Sequence, residues 1–128
     1  MSVYQGSDFK KISGGRRRPH RGNRKYETGS YPTHTTLSGE GHSIVHERVR
    51  GGNIKLRVKK CLYVNVTDLK TGKSRKCKVL KILETPANRE YSQRGIITKG
   101  ALVETELGKA KITSRPGQEG VINAILLG

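Results

Sequence analysis

From Phe9 through Tyr26 the chain reads FKKISGGRRRPHRGNRKY, with Lys10, Lys11, Arg16, Arg17, Arg18, Arg21, Arg24 and Lys25 and no carboxylate. Between Gly14 and Lys25 the only apolar side chain is Pro19. A segment this basic repels itself and has nothing to bury, so any core must be assembled elsewhere in the 128 residues.

That core must be small. Residues of the AVILMFWYC set make up 32% of the chain, with no Trp and one Phe, so packing rests on aliphatic side chains in less than the full length. Lys plus Arg number 26 against 10 Asp plus Glu, a formal charge of +16. Self-repulsion on this scale costs the free protein stability, and a polyanionic partner relieves it.

RNA, DNA and an anionic membrane surface are the candidate polyanions. A membrane fits worst: no apolar run approaches the ~20 residues of a spanning helix, and the basic segment lacks the interleaved Leu, Phe or Trp of an interfacial helix. The opening MSVYQGSDFK also lacks the apolar centre of a secretory signal, so a cytosolic location is expected. Cys61 and Cys77 form no C-x-x-C pair and are expected to be reduced and partly buried.

Two regions are expected. Residues 1–42, rich in glycine and hydroxyl residues, have Val3, Phe9, Ile12 and Leu37 as their large aliphatic or phenyl side chains beyond Met1, which predicts a flexible, disordered basic extension. From Ser43 short β-type runs begin. IVHERV leads through GGN into IKLRVKK, where Ile54, Leu56 and Val58 alternate with Lys55, Arg57 and Lys59, the period of a half-buried strand.

Leu62, Val64 and Val66 continue the alternation, and DLKTGK turns the chain back into SRKCKVLKI. Pairing Val64 with Cys77 and Leu62 with Val79 aligns the apolar faces and puts Cys61 on the other face. A helical turn is possible at Asn88 to Gln93, and short runs between glycines follow. The fold class expected is all-β: a small closed barrel of about six mainly antiparallel strands in residues 43–128.

The basic extension is the leading candidate for nucleic-acid contact, since guanidinium groups fork onto phosphate oxygens and glycines let the backbone follow a narrow channel. In RGGNIKLR, Gly51 and Gly52 suit positive-φ hairpin positions, and Arg50, Lys55 and Arg57 could point to phosphates or simply face water. Arg89, Tyr91, Arg94 and Lys99 combine charge with one ring, though an exposed polar loop reads the same way.

Other chemistry finds little support. His42 and His46 lie four apart without an HExxH motif, so no metal is expected. TGKS, Thr71 to Ser74, lacks the earlier glycine of a phosphate loop, because position 67 is Thr67, and reads as a β-turn. No recurrent catalytic spacing stands out, and no enzyme activity is expected.

The blocks KKISGGRRRPHRGNRKYETG, VRGGNIKLR, TPANREYSQRGIITKG and TSRPGQEGVINA together resemble the ribosomal protein S8e family of the small subunit. The likeness spans nearly the whole chain, and the compact length looks like the archaeal form, without the insertion of eukaryotic members. It implies a non-catalytic component of the cytoplasmic small ribosomal subunit, with a β-barrel and a basic N-terminal extension. It also implies small-subunit ribosomal RNA and neighbouring small-subunit ribosomal proteins as partners.

Lys11, Ser13, Gly14, Gly15, Arg21, Lys25, Tyr26, Glu27 and Gly29 match the family's extension signature, and Arg50, Gly51, Gly52, Asn53, Lys55 and Arg57 its hairpin block. The candidate RNA-binding residues are Lys10, Lys11, Arg16, Arg17, Arg18, His20, Arg21, Arg24, Lys25, Arg50, Asn53, Lys55, Arg57, Arg89 and Arg94. No cofactor and no membrane partner are expected, and the free chain is expected to be monomeric. RNA is favoured over DNA because an extended arm can thread irregular RNA crevices, whereas duplex DNA usually meets a recognition helix. An assembly factor of the same family and a DNA-compacting protein are the alternatives.

Overall fold

Alternation between Tyr63 and Val79 sets the central hairpin, because a one-residue slip would turn its valines outward. The computed structural model describes residues 2–128. In chain order the strands are β1 (Ser2–Tyr4), β2 (Thr28–Ser30), β3 (Thr35–Leu37), β4 (Ser43–Arg48), β5 (Ile54–Cys61), β6 (Tyr63–Thr67) and β7 (Ser74–Glu84). Then come helix α1 (Arg89–Gln93), β8 (Ile96–Ile97), β9 (Leu102–Thr105), β10 (Gly108–Ile112), helix α2 (Pro116–Glu119) and β11 (Asn123–Leu126). The protein is all-β, divided into one unit up to Pro32 and another at Thr33–Gly128.

In the larger unit, β6 and β7 pair antiparallel with Val64 opposite Cys77, the expected register, and Val79 N donates to Leu62 O at 3.1 Å. β7 continues to β9, β9 to β10, β10 to β11, and β11 closes on β6. Five strands therefore close the barrel where about six were expected. An odd number of strands cannot alternate direction all the way round, so one neighbouring pair must run parallel; it is β11 with β6, Ala124 opposite Val66.

The remaining three of the eight strands from Ser43 onward lie outside the barrel. β4, β5 and β8 join β3 in a four-stranded sheet ordered β4-β5-β3-β8. The expected β4–β5 hairpin forms, with Val45 opposite Arg57, and Gly51 and Gly52 take φ of 76° and 78° at its turn. Its alternation misleads in one respect. Val58 is fully buried, but Ile54 and Leu56 remain 67% and 38% exposed, because the distal hairpin runs beyond the core.

β3 comes from the stretch 33–42, which by composition belongs to the extension. Its pairing is long-range: Leu37 lies parallel to Cys61 and Thr35 antiparallel to Ile97. The buried Thr35 hydroxyl donates to Val58 O at 2.7 Å, which removes the cost of burying a polar residue there.

Val64, Val66, Val79, Val103, Ala110, Ile112, Ile122 and Ala124 form most of the core, joined by Val58, Cys61 and Cys77. The placement of Cys61 corrects the extrapolated alternation. A bend at Leu62 separates β5 from β6, and it returns Cys61 to the same buried cluster as Cys77. Both thiols are free. Burial pushes the Cys61 thiol up to about 12 and also raises that of Cys77, where Glu106 adds to the effect.

RPGQEG, read as a turn, contains the single helical turn α2. Pro116 opens it and Gly120, at φ 72°, ends it. A Cβ at Gly120 would stand 2.5 Å from Leu56 Cβ, so glycine permits both the left-handed turn and the close approach to β5.

Candidate nucleic-acid interface

Local hydrogen bonds shape the basic segment. β1 and β2 pair antiparallel, Val3 opposite Gly29, and Gln5 N donates to Glu27 O at 2.8 Å, closing residues 5–27 into a loop. Within it Arg17 N donates to Phe9 O and Lys11 N to Gly15 O, both at 2.7 Å, with Lys10 bridged to Arg16. Gly14 turns this small hairpin at φ 83°, and Ile12 at its tip is fully exposed. The extension thus carries two bonded turns in place of a featureless tail, yet none of residues 3–32 is buried.

The cations divide into two groups. Arg21 is committed within the unit: it pairs with Glu27, its Cζ lies 5.6 Å from the centre of the Tyr26 ring, and its Nε donates to His20 at 3.1 Å. The Arg24 backbone N–H donates to Glu27 Oε2 at 3.0 Å. This bond foremost, together with Arg21, holds the Glu27 carboxyl below its ordinary range. Arg16, Arg17, Arg18 and Lys25 are exposed, and their side chains make no bond among the described residues, nor do those of Lys10 and Lys11.

Around the inner turn lies a cavity of about 230 Å³, lined in part by Tyr4, Phe9, Arg17, Arg18 and Arg21. The Tyr4 and Phe9 rings stack with centroids 5.4 Å apart.

At the β4–β5 hairpin the candidates are less available. Arg57 Nε sits 2.5 Å from Glu47 Oε2 across the strands and its Nη1 donates to Gly117 O at 3.3 Å, which makes it a fastening between β4, β5 and α2. Lys55 Nζ donates to Gln118 Oε1 at 2.9 Å. Arg50 is exposed at the turn, where its carbonyl accepts from Asn53 Nδ2 at 3.4 Å.

α1 begins as expected, with the Asn88 side chain accepting from Glu90 N at 3.0 Å. Arg89 is exposed, and Arg94 pairs loosely with Glu90 at 3.8 Å. Tyr91 meets His34 edge-on at 5.5 Å, so its ring already has a partner. Lys99 is exposed beyond β8. The turn at TGKS is organised by Asp68, whose carboxylate accepts from Lys70 N and Thr71 Oγ1, both at 2.9 Å.

Another cationic surface went unnoticed in the sequence. Burial of Cys77 and Val79 turns Lys76 and Lys78 outward, with Lys76 Nζ 4.5 Å from the centre of the Tyr63 ring. The alternation in SRKCKV carried that signal once Cys77 was assigned inward. Among the described residues no three His, Cys, Asp or Glu side chains gather as a metal site, and no helix is long and apolar enough to cross a membrane.

These features define a strongly basic all-β protein: a five-stranded barrel, an attached four-stranded sheet, and a cation-rich N-terminal unit with exposed guanidinium groups. The sequence profile described as ribosomal protein S8e matches residues 4–127, and the chain belongs to this family. It is 56% identical to small ribosomal subunit protein eS8 of Sulfurisphaera tokodaii, over 99% of this chain and 98% of that protein. It is similarly 54% identical to the eS8 protein of Sulfolobus acidocaldarius and 56% to that of Ignicoccus hospitalis, each over 99% of this chain and 98% of the relative.

Proposed function

We propose that this protein is a non-catalytic structural constituent of the cytoplasmic small ribosomal subunit that binds small-subunit ribosomal RNA and braces its folded form. The observation that carries the reading is the acid-free stretch Phe9–Tyr26, whose Arg16, Arg17, Arg18 and Lys25 are exposed and unpartnered among the described residues. In the ribosome it would lie among neighbouring small-subunit proteins.

The extension neutralises phosphates between RNA helices, and released counterions supply much of the affinity. Arg21, bound to Glu27, is held within the unit, while Arg16, Arg17, Arg18 and Lys25 stay exposed. The barrel fixes the position from which the extension reaches.

The test is the salt dependence of binding to small-subunit ribosomal RNA with residues 1–25 removed. If the removed segment neutralises ~6 phosphates, the log–log slope should flatten by ~4. An unchanged slope would overturn the reading. A DNA-compacting role is tested beside it: structured RNA should be preferred to duplex DNA at ~150 mM salt. Retention on mature subunits, and not on precursors alone, separates a constituent from an assembly factor.

A further inference from the structure

The outer wall of the barrel at β11, β6 and the first half of β7 carries a second cluster. With Val64, Val66, Cys77 and Ala124 inward, Tyr63, Asn65, Lys76, Lys78 and Asn123 share the opposite face. Asn65 lies opposite Lys76 on one side and level with Asn123 on the other, and Tyr63 lies opposite Lys78. Asn65 Nδ2 donates to Asn123 Oδ1 at 3.1 Å between residues 58 apart in the chain.

We propose that this wall binds an unpaired stretch of RNA, with Lys76 and Lys78 on its phosphates and the Asn65–Asn123 pair on base edges or 2′-hydroxyls. The proposal rests on the ribosomal-RNA reading above and names a surface and a class of RNA for it.

Charge selects a nucleic acid. The outward positions of β11, β6 and residues 74–78 of β7 are Asn123 and Ile125, Tyr63, Asn65 and Thr67, and Ser74, Lys76 and Lys78, with no carboxylate. Glu106 reaches the rim, where it accepts from the Lys78 backbone N–H at 3.4 Å. Neither ammonium is ion-paired among the described residues. The Tyr63 ring under Lys76 restrains a flexible stem, lessening the entropy lost when it meets a phosphate.

The amides select unpaired RNA. Their mutual bond uses one donor and one acceptor, leaving Asn65 Oδ1 and the Asn123 NH2 group, on two exposed residues, with capacity for further partners. A donor beside an acceptor matches a Watson–Crick base edge, which in an A-form duplex is already paired with the other strand, while the deep, narrow major groove admits no sheet face. Splayed, unpaired bases leave that edge free. Small barrels offer a wall on which splayed nucleotides can lie.

The test uses the full chain and three probes: a single-stranded oligoribonucleotide of about 12 nucleotides, within the range such barrels span, the DNA of the same sequence, and an RNA duplex. Asn65→Ala with Asn123→Ala should weaken binding of single-stranded RNA roughly tenfold, from the loss of two hydrogen bonds less partial compensation, with duplex affinity and salt slope unchanged. Lys76→Gln with Lys78→Gln should flatten the single-strand salt slope by ~1.4, and RNA should outbind DNA.

Unchanged binding of single-stranded RNA by both double variants, with removal of residues 1–25 still flattening the slope, would overturn this proposal and leave the functional reading intact. Equal losses on single strand and duplex would overturn the assignment to unpaired RNA. No effect from either the double variants or the removal would overturn both. A fall in melting temperature without altered RNA discrimination would make the amides a strand fastening only and so count against the proposal.

Discussion

The unit up to Pro32 and the unit from Thr33 both present cations on hydrogen-bonded backbone, but different forces hold that backbone in place. In the barrel, Val64, Val103, Ala110 and Ile112 lie almost wholly out of water and closure leaves no free edge. In residues 3–32 nothing is buried; turns, one ring stack and the Arg21–Glu27 pair set the shape. Local bonds specify a conformation without supplying much stability, which suits the RNA-moulding role proposed for this segment.

The sharpest contrast is between two isoleucines. Ile112 is 1% exposed in the core, and Ile112→Ala should cost about 2–5 kcal/mol in denaturant unfolding. Ile12 is fully exposed, so Ile12→Ala should change stability by less than about 0.5 kcal/mol. Comparable losses at both sites would mean that the extension contributes to a core after all.

Two glycines give the next test. Gly120→Ala forces a side chain into the left-handed region at φ 72° and against Leu56, so a loss of at least about 2 kcal/mol is expected. Gly14 has φ 83° but open space around it, so Gly14→Ala should disturb only the local hairpin, by about 1 kcal/mol, and leave global unfolding unchanged.

Amide exchange locates where the two regimes meet. Leu37 N donates to Gly95 O and Ser38 N to Cys61 O, so both amides should be protected. Amides at Arg16, Arg18 and His20 should exchange fast in the free protein. Fast exchange at Leu37 would move the boundary to the 42/43 position that composition suggests.

The smallest effect concerns Glu27. Its pKa is lowered in the folded form, so the stabilisation it contributes is present above the ordinary carboxylate value and is lost as pH falls through the lowered one. Acidification through that window should release the Arg21 and Tyr26 signals while those of Val103 and Ile112 stay in place. Simultaneous loss of both would contradict separate modes of support.

What sequence reveals follows the same division. The β6–β7 register was legible because Val64, Val66, Cys77 and Val79 alternate about one short turn, and the β4–β5 turn because adjacent glycines supply positive φ. β3 was hidden, since Thr35-Thr36-Leu37 becomes a strand only by reaching residues near 60 and 97. Arg57 looked like a phosphate ligand until strand register set Glu47 beside it. Asn123 reaches Asn65 only through barrel closure by β11, which no local pattern encodes.

Residue-resolved protein–RNA crosslinking on assembled small subunits tests the central claim most directly. Crosslinks are expected at Arg16, Arg17, Arg18 and Lys25, with Arg21 and Arg57 weaker because carboxylates hold them. Crosslinks confined to residues beyond Thr33, with Arg16–Lys25 left untouched, would contradict an RNA-bracing extension.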